Sequence, residues 1–151
     1  MDGVTVIINE VAPANYMRGR QSRTPGAPQP SPREIVERYL AAMEARDLDL
    51  ARSFLADGFT MTFPGGATFT SPEQLVEWAR PRYRSIAKTY ENFDEASSTG
   101  DSIVYCYGTL HGEWPDGQPF SGIRFIDRFT VRDGRLTTQQ VWNDLAEVRG
   151  R

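Results

Sequence analysis

The chain has 151 residues, 39% of them hydrophobic and 11% aromatic, which suits one globular domain with a single core. Its 17 Lys and Arg against 20 Asp and Glu give a net charge of -3 and no basic stripe for phosphate neutralisation, so no nucleic acid is expected as a partner. A lone cysteine, Cys106, and a lone histidine, His111, exclude an intramolecular disulfide, a cysteine-built metal centre and a histidine-pair metal site.

The first apolar run, 4–8, is too short for a signal peptide or a membrane span, so a cytoplasmic location without membrane contact is the expectation. Residues 1–30 read as a flexible extension: 16–32 carries Arg18, Arg20 and Arg23, then four of the ten prolines, and no apolar periodicity. Val4, Val6 and Ile8 alternate as an added edge strand would, and Met17 is an alternative start.

Order is expected from Ser31, where Ser31-Pro32-Arg33-Glu34 combines an N-cap, a proline at the first helical position and a capping-box glutamate. Ile35, Val36, Tyr39, Leu40 and Met43 then recur at helical spacing, predicting a helix to about residue 45. Asp47 caps a second, short helix with Leu48, Ala51, Phe54 and Leu55 facing inward. Phe59, Met61 and Phe63 alternate as a half-buried strand, Pro64-Gly65-Gly66 ends it, and 68–70 reads as a short return strand. Ser71-Pro72-Glu73-Gln74 starts a third helix carrying Leu75, Val76, Trp78, Ala79, Tyr83 and Ile86 on its apolar side, with Pro81 kinking or ending it.

The period then changes. Four strands are predicted over 90–98, 102–114, 119–132 and 135–144, separated by hairpin signals at Thr99-Gly100-Asp101, Pro115-Asp116-Gly117 and Asp133-Gly134. Helices followed by a meander make an α+β domain over 31–147, with three N-terminal helices packed on one face of an antiparallel sheet, and 148–151 as a tail.

This order resembles the SnoaL-like branch of the nuclear transport factor two-like superfamily, and the stretch 121–136 followed by Val141-Trp142-Asn143-Asp144 is similar to that branch's signature. The resemblance implies a cone-shaped barrel, helices held inside a strongly curved sheet around a pocket. It is specific for fold and weak for function, because the superfamily includes cyclases, dehydratases, isomerases, epoxide hydrolases and members without activity.

The sharpest feature is Asp127. Ser121, Ile123, Phe125, Asp127, Phe129 and Val131 share one strand face, apolar except for a central carboxylate, and burial among aromatics raises a carboxyl pKa toward neutrality. A two-residue loop at Asp133-Gly134 pairs Asp127 with Gln140, and keeping inward faces together pairs it with Tyr107. The predicted pocket floor is therefore Tyr107, Asp127 and Gln140, with Thr109, Phe125 and Trp142 in the next row and His111, Ile123 and Asp144 beyond.

Two readings stand. In the first, Asp127 is a general acid or base, Tyr107 and Gln140 orient it or polarise a carbonyl, and His111 is a second proton carrier. The pocket for a small hydrophobic molecule is then lined by Gln140, Trp142, Phe125, Phe129, Tyr105, Thr109, Phe59, Met61, Phe63, Trp78 and Tyr83. The resemblance implies the same role for Asp127, in cofactor-free proton transfer of the polyketide-cyclase or isomerase type. In the second reading Asp127 accepts a hydrogen bond from Tyr107 or Arg84 and fixes the core of a non-catalytic ligand-binding or dimerisation module. Asp144 is expected to tether the last strand. Arg124 and Arg128 fall on the opposite strand face, which disfavours an epoxide-hydrolase cluster. A homodimer through the outer sheet face is expected from Val104, Cys106 and Leu110, read as outward.

Overall fold

The three expected helix starts each hold a cap. Ser31 Oγ accepts from Glu34 N at 3.2 Å ahead of α1 (Pro32–Glu44), Asp47 Oδ1 accepts from Leu50 N at 3.2 Å ahead of α2 (Leu48–Ser53), and Ser71 Oγ accepts from Gln74 N at 3.3 Å ahead of α3 (Pro72–Ala79). Each satisfies an amide that the helix leaves without an internal partner. The computed structural model describes residues 5–7, as backbone, and 28–149. Met17 and most of the extension lie outside the described residues.

The strands are β1 (Thr5–Ile7), β2 (Leu55–Phe63), β3 (Ala67–Phe69), β4 (Ser85–Ser98), β5 (Asp101–Glu113), β6 (Pro119–Arg132) and β7 (Arg135–Asn143), with a 3-10 turn at Pro64–Gly66 between β2 and β3. They form one sheet in the order β1-β4-β5-β6-β7-β2-β3. The meander from β4 to β7 is antiparallel, and Thr99-Gly100 and Asp133-Gly134 both take positive φ at both positions, as tight hairpins of right-handed twist require.

The α+β class holds, with two corrections. The sheet is mixed, because β2 arrives from α2 and fills the outer edge of β7 running parallel to it. There are four α-helices among the described residues, since 145–149 turns once more as α4 (Leu145–Arg149) instead of ending in a strand and tail. Asp144 holds this end, accepting from Arg124 Nε at 2.6 Å while its own amide donates to Arg124 O at 3.1 Å.

A third difference bears on the site. The helix α3 stops at Ala79, ahead of Pro81, so Tyr83 lies in the connection and Ile86 on β4, which begins at residue 85 rather than 90. Lys88 thereby becomes a strand residue.

The register slips by one on both sides of β6. From Arg132↔Arg135 and Val131↔Leu136 the pairing jumps to Thr130↔Thr138, leaving Thr137 as a bulge, and Asp127 opposes Val141. On the other side Leu110↔Ile123 changes to Gly112↔Phe120, and Gly122 in the extra stretch takes φ 68°, a left-handed conformation that suits glycine at a bulge. Asp127 opposes Cys106 there. A one-residue slip moves a strand's whole side-chain set to the other face. Val104, Cys106 and Leu110 are therefore in the core, at 0%, 0% and 2% exposure, and the outward placement on which the dimer expectation rested is incorrect.

The core gathers between α1 and the sheet, with Tyr39 central: its ring meets Phe59 edge-on at 6.4 Å and Phe129 at 6.1 Å between centroids. Such contacts add to the burial of a large ring.

Candidate functional site

Asp127 lies on the inner face of β6 and is fully buried. A carboxylate there loses its hydration, a cost of several kcal/mol unless a partner compensates. The partner is Lys88, whose Nζ donates to Asp127 Oδ2 and which is itself buried. The register explains the reach. Lys88 opposes Leu110 on β5, and Leu110 opposes Ile123 on β6, so the side chain runs diagonally across the sheet to a residue four positions along. On the way its ammonium passes over the Phe125 ring, 4.7 Å from the centroid, a cation–π contact in a dry setting.

Burial raises the Asp127 pKa from its ordinary range, and the Lys88 charge and hydrogen bond, then Gln139, oppose that rise. Asp127 Oδ1 and Gln139 Oε1 are both buried without partners among the described residues. Tyr39 Oη and Tyr90 Oη are likewise buried and unpartnered, and burial raises both phenols, with the Asp127 charge adding to the rise. The groups around the carboxyl thus hold more hydrogen-bonding capacity than the protein uses.

Above this cluster lies a cavity of about 280 Å³. Its wall is built by Tyr39, Leu40 and Met43 of α1, Phe63 at the end of β2 with Pro64 and Gly65 after it, Leu75 and Trp78 of α3, and Arg82 and Tyr83 beyond it. Ile86 and Lys88 of β4, Leu110, Trp114, Phe125, the β7 residues Gln139, Val141 and Asn143, and the Leu145, Ala146 and Arg149 side of α4 complete it, with Arg46 after α1. Lys88, Tyr39 and Gln139 reach the cavity, and Asp127 sits behind Lys88. Such a largely apolar hollow with a few convergent polar groups is the usual form of a small-molecule site.

Of the residues expected at the pocket, Phe125, Phe63, Trp78 and Tyr83 line it. Phe59, Met61 and Phe129 are buried in the core but do not reach the cavity. The bulges carry the others outward. Tyr107 opposes Ile126, Thr109 opposes Arg124, Gln140 opposes Arg128, and Trp142 opposes Ile126 at 50% exposure. Tyr105 is on the same outer face, accepting from Arg128 Nε at 3.3 Å. His111 sits at the β5 bulge opposite Ala87 on β4 and does not line the cavity. The placement of Tyr107, His111 and Gln140 beside Asp127 is thus corrected. Arg84, offered as a partner for Asp127, instead lies 3.7 Å from Glu113.

Sequence reasoning missed Lys88, Tyr39 and Gln139. One signal was present for Lys88: it is the chain's sole lysine, beside sixteen arginines. Among the described residues no cluster of three or more metal-ligating side chains occurs, and no helix is long and apolar enough to cross a membrane.

A sheet curling past three capped helices, with a cavity between them, is the fold of the nuclear transport factor two-like proteins. The chain belongs to the SnoaL-like domain family, whose profile matches residues 36–139. No curated protein matches it in sequence. Among solved structures it is similar to a nuclear transport factor two-like protein of unknown function from Burkholderia pseudomallei, at 18% identity and a TM-score of 0.62, covering 77% of this chain and 92% of that one. It is also similar to TerC co-crystallised with polyporic acid, at 15% identity and a TM-score of 0.61, covering 78% and 94%. A third is a putative SnoaL-like polyketide cyclase from Jannaschia, at 19% identity and a TM-score of 0.56, covering 82% and 95%. At these identities the likeness shows the fold.

Proposed function

We propose that the protein binds a small, largely apolar carbonyl compound in this cavity and catalyses cofactor-free proton transfer on it, of the cyclase or isomerase type. The observation that carries the reading is the Lys88 amine, which stands in the cavity wall bonded to a carboxyl with no exposed surface. The polyketide cyclases among its structural neighbours lend support at the level of fold.

Burial weakens the preference of Asp127 for its charged form, and in the proposed reaction the proton shared by the pair resides on Asp127. With that proton on Asp127, the Lys88 amine presents a lone pair to the cavity and takes a proton from the carbon beside the carbonyl. The C–H electron pair moves into the carbon–carbon bond, the carbonyl pair moves onto oxygen, and the unpartnered Tyr39 hydroxyl donates to the developing charge. The Lys88 ammonium returns its proton at another position, which isomerises the substrate; alternatively, as the enolate oxygen pair re-forms its carbonyl, the enolate carbon attacks a second carbonyl carbon, whose π pair moves onto its own oxygen and takes the Lys88 proton, closing a ring. Asp127, behind Lys88, is a positioning and proton-holding residue. On the outer sheet face the exposed Ile126 and Trp142 form an apolar row with the half-buried Tyr107, for which the partner is a second copy of the chain.

Ring opening of nitrobenzisoxazole, which needs only abstraction of one C–H proton, tests the base without knowledge of the natural substrate. The expected result is acceleration by the protein, lost by about 100-fold in Lys88→Met and in Asp127→Asn. Equal rates in all three proteins would overturn the assignment.

A further inference from the structure

The charges lining the cavity are of one sign. Lys88, Arg46, Arg82 and Arg149 are in its wall, and none of its described lining residues is Asp or Glu, although the chain as a whole is acidic. The four are not equivalent. The Lys88 charge is met by Asp127 at the floor. Arg82 is stacked on Trp78, with its guanidinium carbon 3.8 Å from the ring centroid, and Arg149 lies over Trp114 at 5.9 Å. Neither makes an ion pair with a carboxylate among the described residues, whereas Arg33, Arg52, Arg124 and Arg132 all do.

Arg46 and Arg82 line the same cavity as the buried Tyr83, whose hydroxyl pKa is raised by burial while both charges oppose the rise. Burial depresses the Arg46 guanidinium's pKa, with Tyr83 opposing and Arg80 adding to the depression, so its charge is poorly hydrated as well. Stacking on an aromatic ring holds a guanidinium in place while leaving its N–H edge available to an acceptor. A low-dielectric hollow lined by one sign of charge concentrates ligands of the other sign.

We propose that the ligand of this cavity is an amphipathic anion, an apolar ring or chain carrying a carboxylate, sulfonate or comparable acidic group, whose acidic end is held by Arg82 and Arg46 while its apolar body extends toward Lys88. The proposal rests on the cavity being the binding site, as in the preceding section, and adds the charge of what enters it. It also orients the ligand. With the acid at the Arg82–Arg46 wall, the end opposite the acid is the part that meets Lys88 and Tyr39.

Fluorescence titration of the full chain with anilinonaphthalene sulfonate and with phenylnaphthylamine, the same apolar scaffold without the sulfonate, tests it. The anionic probe is expected to bind at least about tenfold more tightly. Raising salt to about 0.5 M should weaken the anionic probe alone, as charge screening demands. Arg46→Gln combined with Arg82→Gln should erase the preference while changing the neutral probe's affinity less than about twofold, and Arg82→Lys should retain most of it. Equal affinities in the unmodified protein, or a preference that survives in the double variant, would overturn the proposal while leaving the cavity as a binding site. Failure of both probes to bind would overturn the binding-site reading, and this inference with it.

Discussion

At the scale of single residues the Lys88–Asp127 pair dominates. A buried ion pair loses about as much in desolvation as it gains from attraction, whereas removing one partner costs about 3–5 kcal/mol because the other charge is left alone. Lys88→Met is therefore expected to destabilise the fold by about 3 kcal/mol near pH 8. The sign of its pH dependence follows from Asp127. Its folded-state pKa is already raised by burial, and loss of the ammonium raises it further. Between the unfolded and folded pKa values the folded state holds the extra proton, so stability falls as pH rises through that window. The deficit should shrink toward zero as pH falls to about 4, the ordinary carboxyl pKa, below which Asp127 is protonated in both the folded and the unfolded state. Urea denaturation of both proteins at the two pH values measures this, and a deficit independent of pH would contradict it.

Asp127 was legible in the sequence because strand alternation alone sets which face it is on. Lys88 was not. It entered the site through the early end of α3, and a lysine next to a predicted helix reads as a solvated residue unless a buried carboxylate is already known to face it. Tyr39 was legible as a core residue, but its unpartnered hydroxyl depends on three-dimensional neighbours that no spacing rule supplies.

At the scale of elements the two bulges decide the site. Counting from the Asp133-Gly134 turn gives the right pairing only as far as Val131 and Leu136, and Thr137 then displaces every later partner. That is why Gln140 and Trp142 are on the outer face and not the inner, and on the β5 side the bulge at Gly122 does the same for Tyr107 and Thr109. Gly122 was the visible hint, since a glycine inside an otherwise well-formed strand often marks a bulge. Its positive φ makes the bulge costly for other residues. Gly122→Val is expected to lower stability by about 1–2 kcal/mol in urea denaturation, because a β-branched side chain disfavours the left-handed region. No effect would mean that the bulge can relax without it. The N-cap residues Ser31, Asp47 and Ser71, by contrast, were readable, because a cap is a local agreement of side chain and backbone within four residues.

At the scale of the whole molecule the sheet has two faces of different use. The inner one, with α1 and α3, encloses the cavity, and the outer one presents Trp142 at 50% and Ile126 at 37% exposure as a cross-strand pair. The expected result of gel filtration is a dimer at micromolar concentration, and Trp142→Glu should shift it to the monomer by placing a charge in the apolar row. A monomer in both cases would contradict a role for that face in self-association. Val104, Cys106 and Leu110, which strand alternation places outward, are interior, so the test falls on Ile126 and Trp142.

The central claim is that Lys88 is at once bonded to Asp127 and open to whatever occupies the cavity. Because Lys88 is the sole lysine, nuclear magnetic resonance of protein carrying isotopically labelled lysine has a single side-chain amine to report. This resonance is expected to shift when phenylnaphthylamine saturates the protein, and to shift again when Asp127 becomes Asn and its bond to Lys88 is altered. A resonance indifferent both to the probe and to that substitution would contradict it.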